Sequence, residues 1–263
     1  MRCTALCLET LTLTAVMALA GCSKEESVDL APTAAALEAA KPKSAQGAAM
    51  EIVKDSSQVS FVMDAPLEKI RGKLIGSTTG TIQVDPTDIT RSNGLIRIDI
   101  GGIELFQTVA DDNGEFGGEK KSEVQNQHAR AWLEISDDAP PAVRRENQVV
   151  EYKIDEIREA SAKDLTKLTG PKRTVTAGVT GDFRLHRRKV KKSARVEVTF
   201  NYAGDRLDSA TFKTVEPVVV SLEEHDVRPR EAFGKLAQKT LAALSPKVAK
   251  EARVSFELEA RVR

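Results

Sequence analysis

The stretch RVSFELEARVR (residues 253–263) decides the fold class. Apolar residues occupy every second position from Val254 to Val262, and charged or small polar residues fill the positions between them. Successive side chains of a β-strand point to opposite faces, so this alternation predicts a strand with one buried and one solvated face. Strands of this kind are typical of antiparallel sheets, because parallel sheets are usually covered on both faces.

The same period of two recurs in the chain before this stretch. It is clearest over residues 175–185 and 194–202, and shorter instances lie at 59–61, 82–84, 96–100, 150–154 and 218–222. Turn dipeptides stand between the segments, at Asp85-Pro86, Asn93-Gly94, Asn113-Gly114 and Gly204-Asp205. About eight half-buried antiparallel strands can stack as a sandwich or close into a barrel, and the period alone does not choose between these architectures.

Two segments have helical spacing instead. Residues 123–135 place Val124, His128 and Trp132 four apart, and residues 230–244 carry an apolar stripe between Pro229 and Pro246. We expect one or two short helices that cover an end or an opening of the sheet.

The first 21 residues predict a secretory signal. Arg2 precedes a mostly apolar run that is too short to span a bilayer, and small residues end it. Leu19-Ala20-Gly21-Cys22 resembles the bacterial lipobox, which implies cleavage before Cys22 and attachment of lipid to its thiol. The alternatives are an ordinary signal peptide cut nearby and a buried N-terminal helix. By the usual sorting pattern, Ser23 after the cysteine implies the outer membrane, facing the periplasm.

Residues 22–50 contain Pro32, Pro42 and many alanines but few large apolar side chains. This composition predicts a flexible tether between the lipid and the domain, followed by one β-domain over residues 51–263. The alternative for the tether is a short isolated helix over residues 33–40.

Composition excludes several classes of function. The chain has 39 basic and 39 acidic residues and 4% aromatic residues, so we expect no nucleic-acid partner. All three cysteines, Cys3, Cys7 and Cys22, precede the domain, which excludes a disulfide framework or a zinc–thiolate site within it.

Catalytic and cofactor signatures are absent from the sequence. His128, His186 and His225 are far apart and read as structural residues, so we expect no metal site. Residues 76–80 place Thr78 where a nucleophile elbow has serine, and a turn is the simpler interpretation. Residues 111–115 resemble a fragment of a calcium loop but lack its full ligand spacing, which favours a solvated hairpin turn. We therefore expect neither a cofactor nor enzymatic activity.

One stretch has a family resemblance. Residues 179–186 (VTGDFRLH), followed by the strand to Phe200, resemble the TGDLTLHGVTKPV signature of the YceI-like family. Weaker matches follow in the family's order at residues 57–61, 80–86, 98–108 and 128–133. The chain departs from the pattern at Arg187, where the family has glycine, and the resemblance therefore indicates a divergent member.

The resemblance implies an antiparallel, eight-stranded, lipocalin-like β-barrel whose apolar cavity holds a polyisoprenoid chain. Inward-facing residues expected to line that cavity are Phe61, Phe183, Leu185, Val196, Val198, Phe200, Phe256 and Leu258. The basic residues Arg187, Arg188 and Lys189 could meet an anionic lipid headgroup, or they could form an ordinary solvated turn. We thus expect a non-catalytic envelope lipoprotein that binds an apolar lipid. The alternative is an interaction module with a filled barrel core, and a homodimer is left open.

Overall fold

The computed structural model describes residues 29–39, 41–228 and 249–263. Its strands are β1 (Ala48–Ile52), β2 (Gln58–Ala65), β3 (Glu68–Ile75), β4 (Thr78–Val84), β5 (Asn93–Asp99), β6 (Glu104–Val109), β7 (Lys120–Lys121), β8 (Val149–Arg158), β9 (Lys172–Leu185), β10 (Arg188–Ala203), β11 (Arg206–Thr214), β12 (Val218–Ser221) and β13 (Glu251–Val262). Its helices are α1 (Glu123–Trp132) and α2 (Pro141–Asn147), and short 3-10 turns lie at Lys54–Ser56, Ile89–Arg91 and Leu165–Lys167. Cys22 and the predicted helix over residues 230–244 lie outside the described residues.

Eight strands close into a ring. The order is β1-β4-β5-β8-β9-β10-β11-β13, every pairing is antiparallel, and β13 returns to pair with β1 through Met50 opposite Val262 and Ile52 opposite Ala260. Closure leaves no free edge in the ring, which removes the main route to edge-to-edge aggregation. The predicted eight-stranded antiparallel barrel is therefore confirmed, and a sandwich is excluded.

The barrel is longer on one side than on the other. After a kink at residues 53–57 the chain continues into β2, which pairs with β13 and β3, while β3 also pairs with β6. The buried Ser57 stabilises the kink, since its hydroxyl donates to the Val53 carbonyl at 2.8 Å and accepts from the Glu259 amide at 3.2 Å. The sheet β2-β3-β6 thus continues the wall along β13, beyond the residues of β13 that pair with β1.

Helix α1 covers this extension. Ser122 caps its first turn by accepting a hydrogen bond from the Gln125 amide at 3.3 Å. The buried side chain of Asn126 accepts from the Leu105 amide at 2.7 Å and so fixes the helix to β6. His128 and Trp132 then face inward, as the spacing of residues 123–135 predicts, whereas Val124, from the same predicted stripe, is 58% exposed. Among the described residues no helix is long and apolar enough to cross a bilayer.

Three details differ from the sequence predictions. Residues 29–39 and 41–50 are not a flexible spacer: Ala31, Leu37 and Met50 are buried against the barrel, and strand β1 begins at Ala48, before the predicted domain boundary. Asn93-Gly94 begins β5 and does not form a turn. Helix α2 follows Pro140 in a segment whose few apolar residues gave no helical period.

Candidate functional site

Among the described residues, the barrel contains a wide cavity and a narrow void. The wide cavity has a volume of about 380 Å³ and lies between the extension β2-β3-β6, helix α1, the tip of the β9–β10 hairpin, β12 and β13. The narrow void has a volume of about 60 Å³ and lies at the opposite end, between β4, β8, β9, β10 and β11. The larger volume falls within the range of small-molecule sites, about 300–1,000 Å³.

The lining of the wide cavity is almost entirely apolar. Its charged residues are Glu68 and Lys192, and both charges have partners. Glu68 accepts hydrogen bonds from Gln107 and, at 2.7 Å, from Gln125, while the Lys192 ammonium lies 3.5 Å from a Glu224 carboxylate oxygen. Glu68 is thus held by hydrogen bonds to two amides and Lys192 by an ion pair, so an apolar molecule that enters the cavity meets polar groups that already have partners.

Helix α1 contributes the aromatic part of the wall. Trp132 is the single tryptophan of the chain, and its ring stacks on His128 with centroids 6.1 Å apart. Both residues line the wide cavity together with Ala129 and Leu133. His128 was predicted to be structural, and its stacking contact is consistent with that role.

A thin partition separates the two voids. Four side chains, those of Ile96, Tyr152, Phe256 and Leu258, contact both of them. The Tyr152 hydroxyl donates toward the Lys192 carbonyl at 3.1 Å and also lies 3.3 Å from the Val179 carbonyl. Burial, and to a lesser extent the Asp155 carboxylate, raise the pKa of the Tyr152 phenol, so it remains a neutral donor. The partition is made of side chains, and it can be changed without altering a strand.

The structure places every predicted lining residue beside one of the voids. Phe61, Phe183 and Leu185 line the wide cavity, Val196, Val198 and Phe200 line the narrow void, and Phe256 and Leu258 line both. Their contact with a ligand stays a prediction. Trp132, Tyr152 and the β12 residues also line the voids and were not predicted to do so. For β8 and β12, the alternation of apolar residues already indicated which side chains point inward.

The predicted headgroup residues lie at the wide-cavity end but already have partners. Arg187 donates to Glu134 at 3.2 Å, Arg188 donates to the Ala31 carbonyl at 2.9 Å, and the Lys189 ammonium lies 3.6 Å from Asp182. An anionic headgroup would compete with these contacts. The headgroup role and the solvated-turn alternative both stay predictions.

Two histidines hold the hairpin tip in place. His186 is buried, with one ring nitrogen 2.8 Å from Glu134 Oε2 and the other 3.0 Å from the His225 carbonyl oxygen. His225 is fully buried, its Nδ1 lies 2.8 Å from the Ser221 carbonyl, and its ring packs edge-on against Phe183. Burial lowers the pKa of His225. In the part of the chain that the structure describes, no three His, Cys, Asp or Glu side chains come together as a metal site would require.

Comparisons with known proteins give little beyond the fold. No protein-family model matches the chain, and no curated protein matches it. Among solved structures, a domain described as a polyisoprenoid binding domain from Saccharophagus degradans, implicated in plant cell wall breakdown, matches 82% of this chain and 99% of its own, with 14% identity and a TM-score of 0.47. We draw no functional conclusion from a likeness this distant, and membership of the YceI-like family stays a prediction.

Proposed function

We propose that the protein is a non-catalytic envelope lipoprotein that binds an apolar, isoprenoid-like lipid in the wide cavity. The observation that supports this proposal is an apolar cavity of about 380 Å³ whose charged lining residues are both paired. The predicted lipid anchor at Cys22 would keep the cavity near the membrane, most simply the outer membrane on its periplasmic side.

The size of the cavity favours this proposal over a filled barrel core. Apolar atoms that fill a buried apolar volume contribute about 24 cal/mol per Å³, so filling the whole cavity would contribute at most about 9 kcal/mol. Association costs at least about 4 kcal/mol. At most about 5 kcal/mol would remain, so a dissociation constant of about 0.2 mM is the tightest that burial alone would give. A ligand could thus bind through burial alone, with selectivity for length and shape rather than for polar groups.

Trp132 supplies a direct test of this function. Farnesol or geranylgeraniol carrying a quencher should reduce the fluorescence of Trp132, because that ring lines the wide cavity. Ala194→Phe places a ring into the same cavity and should weaken binding at least tenfold. Val219→Phe makes a comparable change on the exposed side of β12 and should leave binding within twofold.

Two outcomes would contradict the proposal. If none of the probes quenches Trp132 at sub-millimolar concentration, the alternative of an interaction module with a filled core is favoured. If Ala194→Phe and Val219→Phe bind the probe as tightly as the unmodified chain, the ligand lies outside the wide cavity.

A further inference from the structure

A row of three charged side chains crosses the outside of the barrel. Arg97 on β5, Glu151 on β8 and Arg184 on β9 are cross-strand neighbours in register. Glu151 lies 3.0 Å from Arg97 through one carboxylate oxygen and 3.3 Å from Arg184 through the other. The adjacent residues Tyr152 and Phe183 face the cavity, so alternation places this row on the outer face. Even so, Glu151 is only 1% exposed and Arg184 only 2%.

The segment that buries this row is the one before β1. Arg184 donates to the Ala34 carbonyl at 3.0 Å, Arg97 donates to the Leu37 carbonyl at 3.0 Å, and Glu151 accepts from the Leu37 amide at 2.8 Å. We call residues 31–39 and 41–47 the strap. Three hydrogen bonds between charged side chains and main-chain atoms therefore hold the strap against the barrel.

The strap runs from the wide-cavity end to the narrow end. At its start, the Ala31 amide donates to the Glu224 carbonyl at 2.9 Å, in the loop whose Leu222 and Val227 line the wide cavity. Toward its other end, Asn93, the first residue of β5 and part of the narrow-void lining, donates to the Lys41 carbonyl at 2.8 Å. The described part of the chain therefore begins at the wide-cavity end.

The length of the remaining chain limits how the barrel can face a membrane. Cys22 precedes Ala31 by nine residues, which can span at most about 30 Å when fully extended. Strand β10 has 16 residues, so at about 3.3 Å per residue and a tilt near 40° the barrel is about 40 Å long. A lipid on Cys22 would hold the wide-cavity end near the bilayer, and the narrow end could not easily turn toward it.

The distribution of exposed apolar side chains supports the same orientation. Leu67, Val109 and Phe116 are 38–53% exposed and lie together at the wide-cavity end, where the Ala110 amide donates to the Leu67 carbonyl and Ala110 bridges to Phe116. Within the described residues, the narrow-end turns at 85–92, 159–171 and 203–206 contain no large exposed apolar side chain. Grouped exposed apolar side chains are typical of surfaces that contact a partner or a membrane.

We propose that the strap orients the anchored barrel so that its wide-cavity end contacts the lipid surface, with Leu67, Val109 and Phe116 at the point of contact. This inference rests on the proposed function, since it takes the lipid anchor at Cys22 from it. The orientation would let an apolar ligand pass between the bilayer and the cavity without crossing bulk water.

The orientation can be measured with two single-cysteine labels in the full lipidated chain. Leu67→Cys marks the wide-cavity end and Asp205→Cys marks the exposed turn at the narrow end. Cys22 would carry the lipid and the two earlier cysteines would leave with the signal, so each label is unique. In phosphatidylcholine vesicles that contain spin-labelled lipid, a fluorophore on residue 67 should be quenched at least threefold more than one on residue 205.

A lengthened tether is the matched control. A flexible Gly/Ser insertion of about 20 residues between residues 26 and 27 should reduce this difference, because the chain between Cys22 and Ala31 then no longer limits the approach of the narrow end. Equal quenching at both positions, stronger quenching at residue 205, or failure of the full chain to float with vesicles would overturn the proposal. Ligand binding by the unlabelled chain is measured separately, so a loss of the proposed binding function would be recognised independently.

Discussion

The ring of Phe61 lies against Gly72 on the facing strand, so closely that a Cβ atom on Gly72 would come 2.1 Å from Cζ of Phe61. Phe61 lines the wide cavity, and the absence of a side chain at Gly72 lets its ring lie along the wall. Any larger residue at position 72 must displace the ring.

Gly72→Val should therefore reduce the capacity of the wide cavity. We expect the displaced Phe61 ring to weaken binding of a quencher-labelled prenyl alcohol at least tenfold, measured by Trp132 fluorescence. Gly102→Ala is the control, since nothing lies within 4 Å of the added Cβ there. Gly72→Val, Phe61→Ala should recover part of the affinity. Unchanged affinity in Gly72→Val would show that Phe61 does not shape the binding site.

Phe256→Ala should join the two voids. Phe256 is one of the four side chains that contact both of them, and its ring separates the wide cavity from the narrow void. The variant should accept prenyl alcohols longer by at least one isoprene unit than the longest that the unmodified chain binds, at a cost in stability of about 3–5 kcal/mol. Val220→Ala enlarges only the wide cavity and should not change the length limit. The same length limit in both variants would argue against a partition at Phe256.

Glu151→Ala should loosen the strap and destabilise the barrel. The variant leaves Arg184 buried without its carboxylate partner, which typically costs about 3–5 kcal/mol. Hydrogen exchange should increase first at the Leu37 amide, which donates to Glu151. Glu257→Ala removes a carboxylate from β13 and should have a much smaller effect on residues 31–39. Slow exchange at Leu37 in Glu151→Ala would mean that other contacts hold the strap.

The protein should become less stable in mild acid, because the buried His225 resists protonation in the folded state. Burial lowers the pKa of His225 in the folded state, and its Nε2 has no hydrogen-bond partner among the described residues. Between that lowered pKa and about 6.5 the unfolded chain therefore binds more protons than the folded chain. The free energy of unfolding should fall as the pH drops below about 6.5, by up to about 1.4 kcal/mol per pH unit.

Urea unfolding between pH 5 and pH 8 measures this effect. His225→Asn keeps a side-chain donor for the Ser221 carbonyl but does not titrate, so the difference in slope between the two proteins isolates His225. Parallel pH profiles would contradict the assignment.

The strands could be predicted from the sequence because each has an apolar face with period two, most clearly in β9, β10 and β13. The packing of the strap against the barrel could not be predicted in this way. The strap offers few large apolar side chains, and it is held through its own main-chain atoms by Arg97, Glu151 and Arg184, which occupy outward positions that read as solvated. Alternation identified the inward residues but not the space between them. That space depends on the kink at Ser57, the position of α1 and the close contact of Phe61 with Gly72.

Native mass spectrometry tests the central claim most directly. The protein is exported to the bacterial periplasm without the lipid anchor on Cys22 and is purified from there. We predict a bound apolar molecule that organic solvent extracts, that is lost or reduced in Ala194→Phe, and that is retained in Val219→Phe. A single ligand-free mass that does not change on incubation with farnesol or geranylgeraniol would contradict lipid binding in the wide cavity.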